Sequence, residues 1–222
     1  MNVHSACRAS RIMPQKLQGS KEPMGVEMVA VQHEKDGRAR IMDAARTLFS
    51  SNGFHQTSMA QLATAAQVSV GQIYRLFKGK EDVIEALVQA DADAWTVKMI
   101  ALRTRLDASE LTIEQTFEQM LLHTTEEKDE ALSFDILAEA FRNETVGQTI
   151  GELCAGFRTT LREFACVANR DLTGEALDAA EEMLLACMFG FGHRSLSRPR
   201  LSAPVAAHRV AQMIVASLKA IR

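Results

Sequence analysis

The chain has 222 residues, a net charge of -3 and 47% hydrophobic residues, of which few are aromatic. This length suits one large domain or two small ones, and the apolar share is sufficient for a buried core. The longest apolar run, from Met183 to Gly192, is shorter than the ~20 residues of a membrane span, and the N-terminus lacks the apolar segment of a secretion signal. Neither a membrane protein nor a secreted one is expected.

Charge is distributed unevenly along the chain. Its balance is +2 over residues 1–35, +2 over residues 36–82 and -7 over residues 83–222. A mildly basic N-terminal part joined to an acidic remainder is typical of a protein that presents one end to phosphate, although ordinary scatter of charge gives similar figures.

The sequence contains no motif for metal binding or catalysis. The four cysteines, Cys7, Cys154, Cys166 and Cys187, form no C-x-x-C pair and lie at no zinc-finger spacing from a histidine. No G-x-S-x-G, H-E-x-x-H or phosphate-binding glycine loop occurs. We therefore expect a reduced, cytoplasmic protein that is not an enzyme and has no catalytic residue, metal or cofactor.

Strand signals are nearly absent, so an all-α fold is expected. Residues 1–34 lack helical periodicity and contain two prolines and two glycines, which predicts a flexible tail. The first helix is expected from about Asp36 to Asn52, with Gly53 as the residue that ends it. A DNA-contacting arm is the alternative role for the tail, through its basic residues Arg8, Arg11, Lys16 and Lys21.

Residues 57–80 predict two very short helices joined by a tight corner. Thr57 is placed to cap the first helix, at about 58–66, and Ser69 to cap the second, at about 70–77. Isolated helices below ~12 residues are marginal in water, so this pair must pack on other elements. Such a pair with a polar outer face is typical of the helix-turn-helix, whose second helix enters the DNA major groove.

The order and spacing of these residues resemble the N-terminal domain of the TetR (tetracycline-repressor-like) family. The resemblance spans roughly Asp36 to Trp95. One departure is Gln67, where the family usually has glycine, so a positive φ at this corner carries a steric cost. The resemblance rests on the segments Gly53-Phe54, Thr57-Ser58-Met59, Val68-Ser69-Val70-Gly71-Gln72-Ile73-Tyr74 and Phe77-Lys78-Gly79-Lys80-Glu81-Asp82.

Beyond this segment a long helix is expected from about Lys80 to Leu106. The resemblance implies that it joins a DNA-binding domain, residues 35–95, to a helical effector-binding and dimerisation domain, residues 96–222. It also implies that this helix transmits effector occupancy to the DNA-binding helices. At least five further helices are predicted, at about 109–127 with Ser109 as N-cap, 129–143, 144–169, 174–196 and 204–221.

The resemblance and the side-chain chemistry together predict the DNA contacts. Gln72 can pair with adenine and Arg75 with guanine, each through two hydrogen bonds. Lys80 places a charge at a helix N-terminus, where anions tend to bind. Tyr74 has packing against the first helix as its alternative role. The predicted DNA-binding residues are Thr57, Ser58, Ser69, Val70, Gly71, Gln72, Tyr74, Arg75 and Lys80.

The resemblance further implies a small-molecule pocket among the C-terminal helices. Its walls are expected to be largely apolar, with His123 as a polar anchor, which favours a hydrophobic or weakly polar effector. The alternative is that these side chains are ordinary core. The predicted ligand-binding residues are Phe117, Met120, His123, Phe134, Leu137, Phe141, Cys154, Phe157, Met183, Cys187 and Phe191.

The last two predicted helices each carry a wide apolar stripe. The resemblance implies a four-helix dimer interface there, and the alternative is that both stripes belong to an intramolecular core. Because one protomer reads half a site, a two-fold dimer implies a palindromic DNA operator. The predicted interface residues are Leu177, Leu184, Met188, Val210, Met213, Ile214 and Leu218.

The sequence therefore predicts a sequence-specific DNA-binding transcriptional regulator. Its expected form is a homodimeric repressor that a small, mainly hydrophobic effector releases from a palindromic operator on double-stranded DNA. Two alternatives stay open on the same fold: a thiol-based redox sensor acting through Cys154 or Cys187, and a helical adaptor that binds only proteins.

Overall fold

The structure is a computed structural model that describes residues 26–126 and 130–221, with side chains from residue 35 onwards. All regular structure in these residues is helical, as the sequence predicted, and none of their helices is long and apolar enough to cross a membrane. The helices are α1 (Val26–Asn52), α2 (Met59–Ala65), α3 (Val70–Leu76), α4 (Lys80–Asp107), α5 (Ile113–His123), α6 (Glu130–Ala140), α7 (Glu144–Ala168), α8 (Gly174–Gly192) and α9 (Ala203–Ala220), with a short 3-10 helix (Arg194–Ser197) before α9.

The first three helices and the start of α4 surround one apolar core, and we call residues 35–87 the head. The helical period of α1 turns Ile41 and Phe49 inward, where they meet Leu62 of α2 and Ile73 of α3, and all four are fully buried. Leu87 of α4 completes this core. Since α2 and α3 have only seven residues each, this shared packing is what keeps them helical.

The head core also includes side chains that lie much further along the chain. Leu132 of α6 and Val146 of α7 are buried members of it, and Ile136 and Ile150 pack against its edge. The head therefore rests on α6 and on the first turns of α7, in addition to its covalent link through α4. A division of the chain at residue 95 leaves part of the head core in the second segment.

The second core lies among α4, α5, α7, α8 and α9, and we call residues 95–221 the body. Phe117 and Met120 of α5 are fully buried there, together with Leu161 of α7, Leu184 of α8 and Leu218 of α9. Helices α5 and α9 run against each other, and α7 packs on α8. Two long helix pairs thus form a bundle beside the head.

A buried carboxylate joins α7 to α8 at the edge of this bundle. Glu181 accepts hydrogen bonds from Arg162 Nη1 at 2.8 Å and from Arg158 Nη1 at 2.5 Å. Arg162 and then Arg158 hold the pKa of the Glu181 carboxyl below its usual value. The pairing therefore stabilises the fold above the usual carboxyl range and is lost as acid protonates Glu181.

Several predicted boundaries were wrong. Helix α1 begins at Val26, ten residues before the predicted start, so residues 26–34 are helical rather than part of a tail; the rest of that tail, with Arg8, Arg11, Lys16 and Lys21, lies outside the described residues. Ser109, with φ +59°, belongs to the turn after α4, and Thr112 caps α5 through a hydrogen bond from the backbone N–H of Gln115. The 3-10 helix occupies what was predicted as the end of α8.

Gly147 provides a test of the close packing between α6 and α7. A Cβ at this position would lie 2.7 Å from the backbone carbonyl oxygen of Ala140, which cannot turn aside, whereas a Cβ at Gly151 one turn later meets nothing within 4 Å. Gly147→Ala should lower the free energy of unfolding by about 1–3 kcal/mol. Gly151→Ala, the control, should raise it by about 0.5–1 kcal/mol, because alanine favours a helix interior. Urea unfolding followed by circular dichroism measures both, and equal effects would contradict the close approach.

Candidate nucleic-acid interface

The first short helix begins with a capping box. Ser58 Oγ accepts a hydrogen bond from the backbone N–H of Gln61 at 3.2 Å, and the backbone N–H of Ser58 donates to Gln61 Oε1 at 2.7 Å. Both ends of the box satisfy backbone groups that a helix N-terminus leaves unpaired. Ser58 is therefore the N-cap of α2, and the prediction that Thr57 caps this helix was wrong.

The corner between α2 and α3 has the tight geometry that the sequence suggested. Gln67 adopts a φ of +54°, the conformation that glycine takes more readily. Arg40 of α1 donates to the Gln67 carbonyl oxygen at 3.3 Å and so ties the corner to α1. Ser69 then caps α3, as predicted, by accepting from the backbone N–H of Gln72 at 3.1 Å.

Helix α3 has one buried face and one exposed face. Ile73 is fully buried and anchors it to the head core. Away from Ile73, Val70 and Tyr74 are each more than half exposed, and Gly71 and Arg75 are also exposed. The exposure of Tyr74 does not favour its alternative role as a packing residue. A hydroxyl, a guanidinium and an apolar side chain thus stand on one surface, as groove reading requires.

Gln72 lies differently from the other predicted base-reading residue. Its side chain is half-buried, and a Cβ on Gly37 of α1 would come within 2.9 Å of its Nε2. The amide therefore rests against α1 at Gly37, and a larger residue there would make the Gln72 side chain shift. The sequence analysis did not identify Gly37 as a neighbour of Gln72, because a single small residue in a helical stretch gives no sign of what packs against it.

Two of the predicted phosphate contacts are turned inward instead. The Thr57 hydroxyl is buried and donates to the carbonyl oxygens of Gly53 at 3.0 Å and Leu48 at 3.3 Å. Lys80 Nζ donates to the Phe54 carbonyl oxygen at 2.7 Å and lies 4.5 Å from the centre of that ring. Both side chains hold the head together in this structure, and their assignment as DNA contacts stays a prediction.

Two further cations of the head lie near α3 and are not in the predicted set of DNA-binding residues. Lys78 is exposed directly after α3. The sequence signal for it is a basic residue next to the helix that is predicted to enter the major groove. Arg38 lies exposed on α1, with its guanidinium 4.5 Å from the centre of the Phe77 ring. These charges flank the exposed face of α3 and suit an approach to a phosphate backbone.

The predicted effector residues do not line one common cavity. Phe117 and Met120 are fully buried and Phe191 nearly so, within the body core. Phe141, in the turn after α6, is 93% exposed, and Cys154 is also exposed. Contrary to the prediction, neither of these two lines an internal pocket, because each side chain faces solvent. The half-buried or partly exposed members are His123, Phe134, Leu137, Phe157, Met183 and Cys187.

Besides Glu139 Oε2 of α6, two buried side-chain polar atoms of the body have no hydrogen-bond partner among the described residues. One is Nε1 of Trp95, whose ring lies 5.1 Å from that of Phe157. The other is Nε2 of His193, whose ring lies 4.9 Å from that of Phe134. His193 Nδ1 faces the Phe189 carbonyl oxygen at 3.0 Å, so that nitrogen carries the proton and Nε2 is an acceptor in the neutral ring. Trp95 thus offers an unpaired donor and His193 an unpaired acceptor, each beside a phenylalanine.

Most of the predicted dimer residues face inward within the protomer. Because their side chains are already buried in the body core, Leu184, Met188, Ile214 and Leu218 cannot add contact area to a partner, which corrects that assignment. Leu177 and Val210 are half-buried, and Met213 is 66% exposed.

A shallow groove of about 380 Å³ lies in the head between α1 and the end of α2, where Arg40, Leu48 and Gln67 line it. It includes none of the predicted effector residues. Among the residues whose side chains are described, no three histidine, cysteine, aspartate or glutamate side chains group as a metal site would require.

Comparison with known proteins identifies the helix-turn-helix segment. Residues 41–87 match a family described as bacterial regulatory proteins, tetR family. The HTH-type transcriptional regulator UidR of Escherichia coli K12 is 30% identical over 135 residues, which are 60% of this chain and 65% of UidR. The matched part of the chain thus spans just under two thirds of this relative's length.

Solved structures share the remaining helices. Salmonella enterica GusR matches with a TM-score of 0.61 and 24% identity, over 81% of this chain and 95% of its own. The transcriptional regulator FadR from Bacillus subtilis, solved in complex with stearoyl-CoA, matches with a TM-score of 0.61 and 18% identity, over 80% of this chain and 97% of its own. At these identities the two structures establish the fold alone. Residues 41–87 of this chain thus carry a segment of the tetR family of bacterial regulatory proteins, and the remaining helices have the all-α fold of these solved structures.

Proposed function

We propose that this protein is a homodimeric transcriptional repressor that binds a palindromic operator and leaves it when a small, mainly hydrophobic effector binds. Residues 35–95, which include the head, form the DNA-binding domain that reads the duplex, and residues 96–222 bind the effector and the second protomer. The observation that carries this proposal is the exposed face of α3, held by a capped corner on a buried core.

The DNA contacts follow from what α3 exposes. Arg75 is suited to pair with guanine, Val70 to contact a thymine methyl group, and Tyr74 to reach a phosphate oxygen. Ser69 keeps its hydroxyl hydrogen available, since its oxygen only accepts from the backbone in the cap. Gln72 reads a base only after its side chain leaves Gly37, a rotamer change that needs no backbone movement.

Arg75 is the residue with which to test base reading. The wild-type protein is first used to select binding sites from a library of random duplexes, and we expect an inverted repeat. Arg75→Ala should then bind the selected duplex more weakly by about 1–3 kcal/mol and tolerate changes at one position of each half-site. A fluorescence anisotropy titration at fixed salt measures this.

The matched control is Arg170→Ala, which removes the same charge from an exposed position of the body. It should bind like the wild type. Selection that yields no inverted repeat at moderate salt, or equal losses in the two variants, would contradict the proposed DNA interface.

The dimer interface is proposed on the outer faces of α8 and α9. Met213 and Val205 of α9 are largely exposed apolar side chains, and Phe189 of α8 is another. Small residues, among them Ala186 of α8 and Ala216 of α9, are exposed between them and allow two helices to approach closely. Leu177, Val210 and Met213 keep their predicted place in this interface.

Met213→Glu should convert the dimer to a monomer with unchanged helix content, because it buries an unpaired charge at the centre of the proposed contact. Size-exclusion chromatography with light scattering measures the mass. The control is Val97→Glu on α4, where the side chain is equally exposed at 67%. A dimeric Met213→Glu protein, or a monomeric Val97→Glu protein, would show that the interface lies elsewhere.

The effector site is proposed between α4, α6, α7 and α8, around the two unpaired polar atoms of the body. Phe157, Phe134, Met183 and Cys187 supply partly exposed apolar surface there, and His123 is held by Glu126 at 2.9 Å. A ligand that accepts a hydrogen bond from Trp95 or donates one to His193 would remove an unmet hydrogen-bonding group from the fold. Helix α4 carries Trp95 and also enters the head core, so occupancy at this site can bias the head.

Trp95 is the sole tryptophan of the chain and reports on this site directly. Stearate, stearoyl-CoA and 2-naphthol are suitable apolar probes. At least one should change the Trp95 emission and release the selected duplex over the same concentration range. Phe157→Ala should weaken that binding by about tenfold, as loss of an aromatic contact of about 1.4 kcal/mol would. Phe141→Ala is the control, because that side chain is exposed to solvent. A probe that releases DNA without altering the emission would place the site elsewhere.

The structure favours this effector-based mechanism over a thiol sensor at Cys187. Burial raises the pKa of the Cys187 thiol, which disfavours the reactive thiolate. Cys154, the other candidate, is exposed. If a variant with serine at both cysteines still leaves the operator when the effector binds, the redox alternative is excluded.

A further inference from the structure

The three residues Gly53, Phe54 and His55 connect α1 to the start of the helix-turn-helix, and we call them the entry turn. Gly53 has a φ of +82° and its N–H donates to the Phe49 carbonyl oxygen at 2.8 Å, which closes α1. The Thr57 hydroxyl donates back to the Gly53 carbonyl oxygen. Ser58, three residues after His55, caps α2. The orientation of this turn therefore sets the direction of the α2 axis.

Helix α4 holds the entry turn from one side. Lys80 Nζ donates to the Phe54 carbonyl oxygen at 2.7 Å and to the His55 carbonyl oxygen at 3.2 Å. Both bonds involve a charged donor, so they are stronger than bonds between neutral groups. These contacts are internal to the head, because Lys80 is the first residue of α4.

Helix α6 holds the same turn from the body. Asp135 Oδ2 accepts a hydrogen bond from the backbone N–H of Phe54 at 3.1 Å. Glu139, one helical turn later, is buried, and its Oε2 lies 3.6 Å from Nε2 of His55. Residues four apart share one face of a helix, so both carboxylates are directed at the turn. Leu132 is a buried member of the head core beside them, and Ile136 packs against its edge.

Among the described residues, Asp135 is the acceptor for the N–H of Phe54. The Phe54 ring is buried against Phe49, with 5.3 Å between ring centres, so the residue cannot rotate to present its N–H to water. Removal of the Asp135 carboxylate would leave a partly buried donor unpaired. The turn would then lose its one backbone hydrogen bond to α6, and the Glu139–His55 pair would be its remaining charged contact with the body.

We propose that Asp135 and Glu139 are positioning residues that act through the entry turn to fix the orientation of α2 and α3 relative to the body. The two carboxylates touch neither DNA nor effector, and they determine in which arrangement the recognition helices are presented. Only the DNA-binding part of this inference rests on the proposed function.

Hydrogen–deuterium exchange of the full chain tests the contact without DNA. In Asp135→Ala, amide exchange in peptides that cover residues 54–66 should accelerate on the order of tenfold, because the turn opens locally. Peptides from α5 and α9 should exchange as in the wild type. Asp135→Asn should restore slow exchange, since its amide oxygen still accepts from Phe54.

Asp178→Ala is the matched control. Asp178 accepts from Arg162 at 2.6 Å at the surface of the body, so its loss removes a charged hydrogen bond far along the chain from the entry turn. Exchange at residues 54–66 should stay unchanged in this variant. Glu139→Gln, which keeps the side-chain volume, is a second test that leaves the Phe54 amide paired; it should accelerate exchange in the peptide that contains His55.

Unchanged exchange at residues 54–66 in both Asp135→Ala and Glu139→Gln would overturn the inference, as would acceleration throughout the chain. With the duplex selected by the wild type, Asp135→Ala should bind on the order of tenfold more weakly and Asp135→Asn like the wild type. Equal affinity of Asp135→Ala and the wild type would also overturn the positioning role. A wild type that selects no duplex refutes the proposed function, and the exchange experiment still decides on the contact.

Discussion

The packing of two seven-residue helices on α1 is the constraint on which the rest of the structure depends. Neither α2 nor α3 is long enough to persist alone, because helix nucleation fixes several residues for one hydrogen bond. Burial of Leu62 and Ile73 against Ile41 supplies the missing stability. Two serine caps and the left-handed Gln67 then define where each helix begins and how sharply the chain turns. The exposed face of α3 is a consequence of this burial.

Because the head is small, it uses side chains from elsewhere to complete its core. Leu132 and Val146 come from helices that otherwise belong to the body. The same two helices meet at Asn143, whose side chain caps α7, and at Gly147, which allows the backbone of α7 to lie close to that of α6. The head and the body therefore share packing as well as one continuous helix, so a change in the body has two routes to the recognition helix.

Polar groups are placed where these two parts meet. Lys80 and Thr57, which a family pattern assigns to DNA, satisfy backbone carbonyl groups inside the head. Asp135 performs the same task from the body for an N–H group. Buried backbone groups must be paired, and irregular turns cannot pair them within themselves. The side chains that do so become the connections between helices.

Local patterns in the sequence were sufficient for the all-α class, the position of the helix-turn-helix and the caps at Ser69 and Gly53. These features depend on residues within a few turns of one another, where apolar period and capping chemistry act directly. Boundaries next to competing caps, such as Thr57 against Ser58 and Ser109 against Thr112, were assigned to the wrong residue. At each of them two neighbouring hydroxyl residues have similar intrinsic preferences, and packing selects one.

Only the tertiary structure decided which way the long-range side chains face. An apolar stripe has the same period whether it packs on its own chain or on a partner. The pattern therefore could not show that Leu184 and Leu218 are buried within the protomer whereas Met213 is exposed. In the sequence, Lys80 is a cation that could contact DNA. In the fold, its ammonium group lies against the Phe54 ring. Asp135 lies 81 residues from the amide that it accepts from, and no local preference encodes such a contact. A sequence pattern reports how a residue relates to its neighbours along the chain, and the direction of a side chain is set by what the folded chain brings against it.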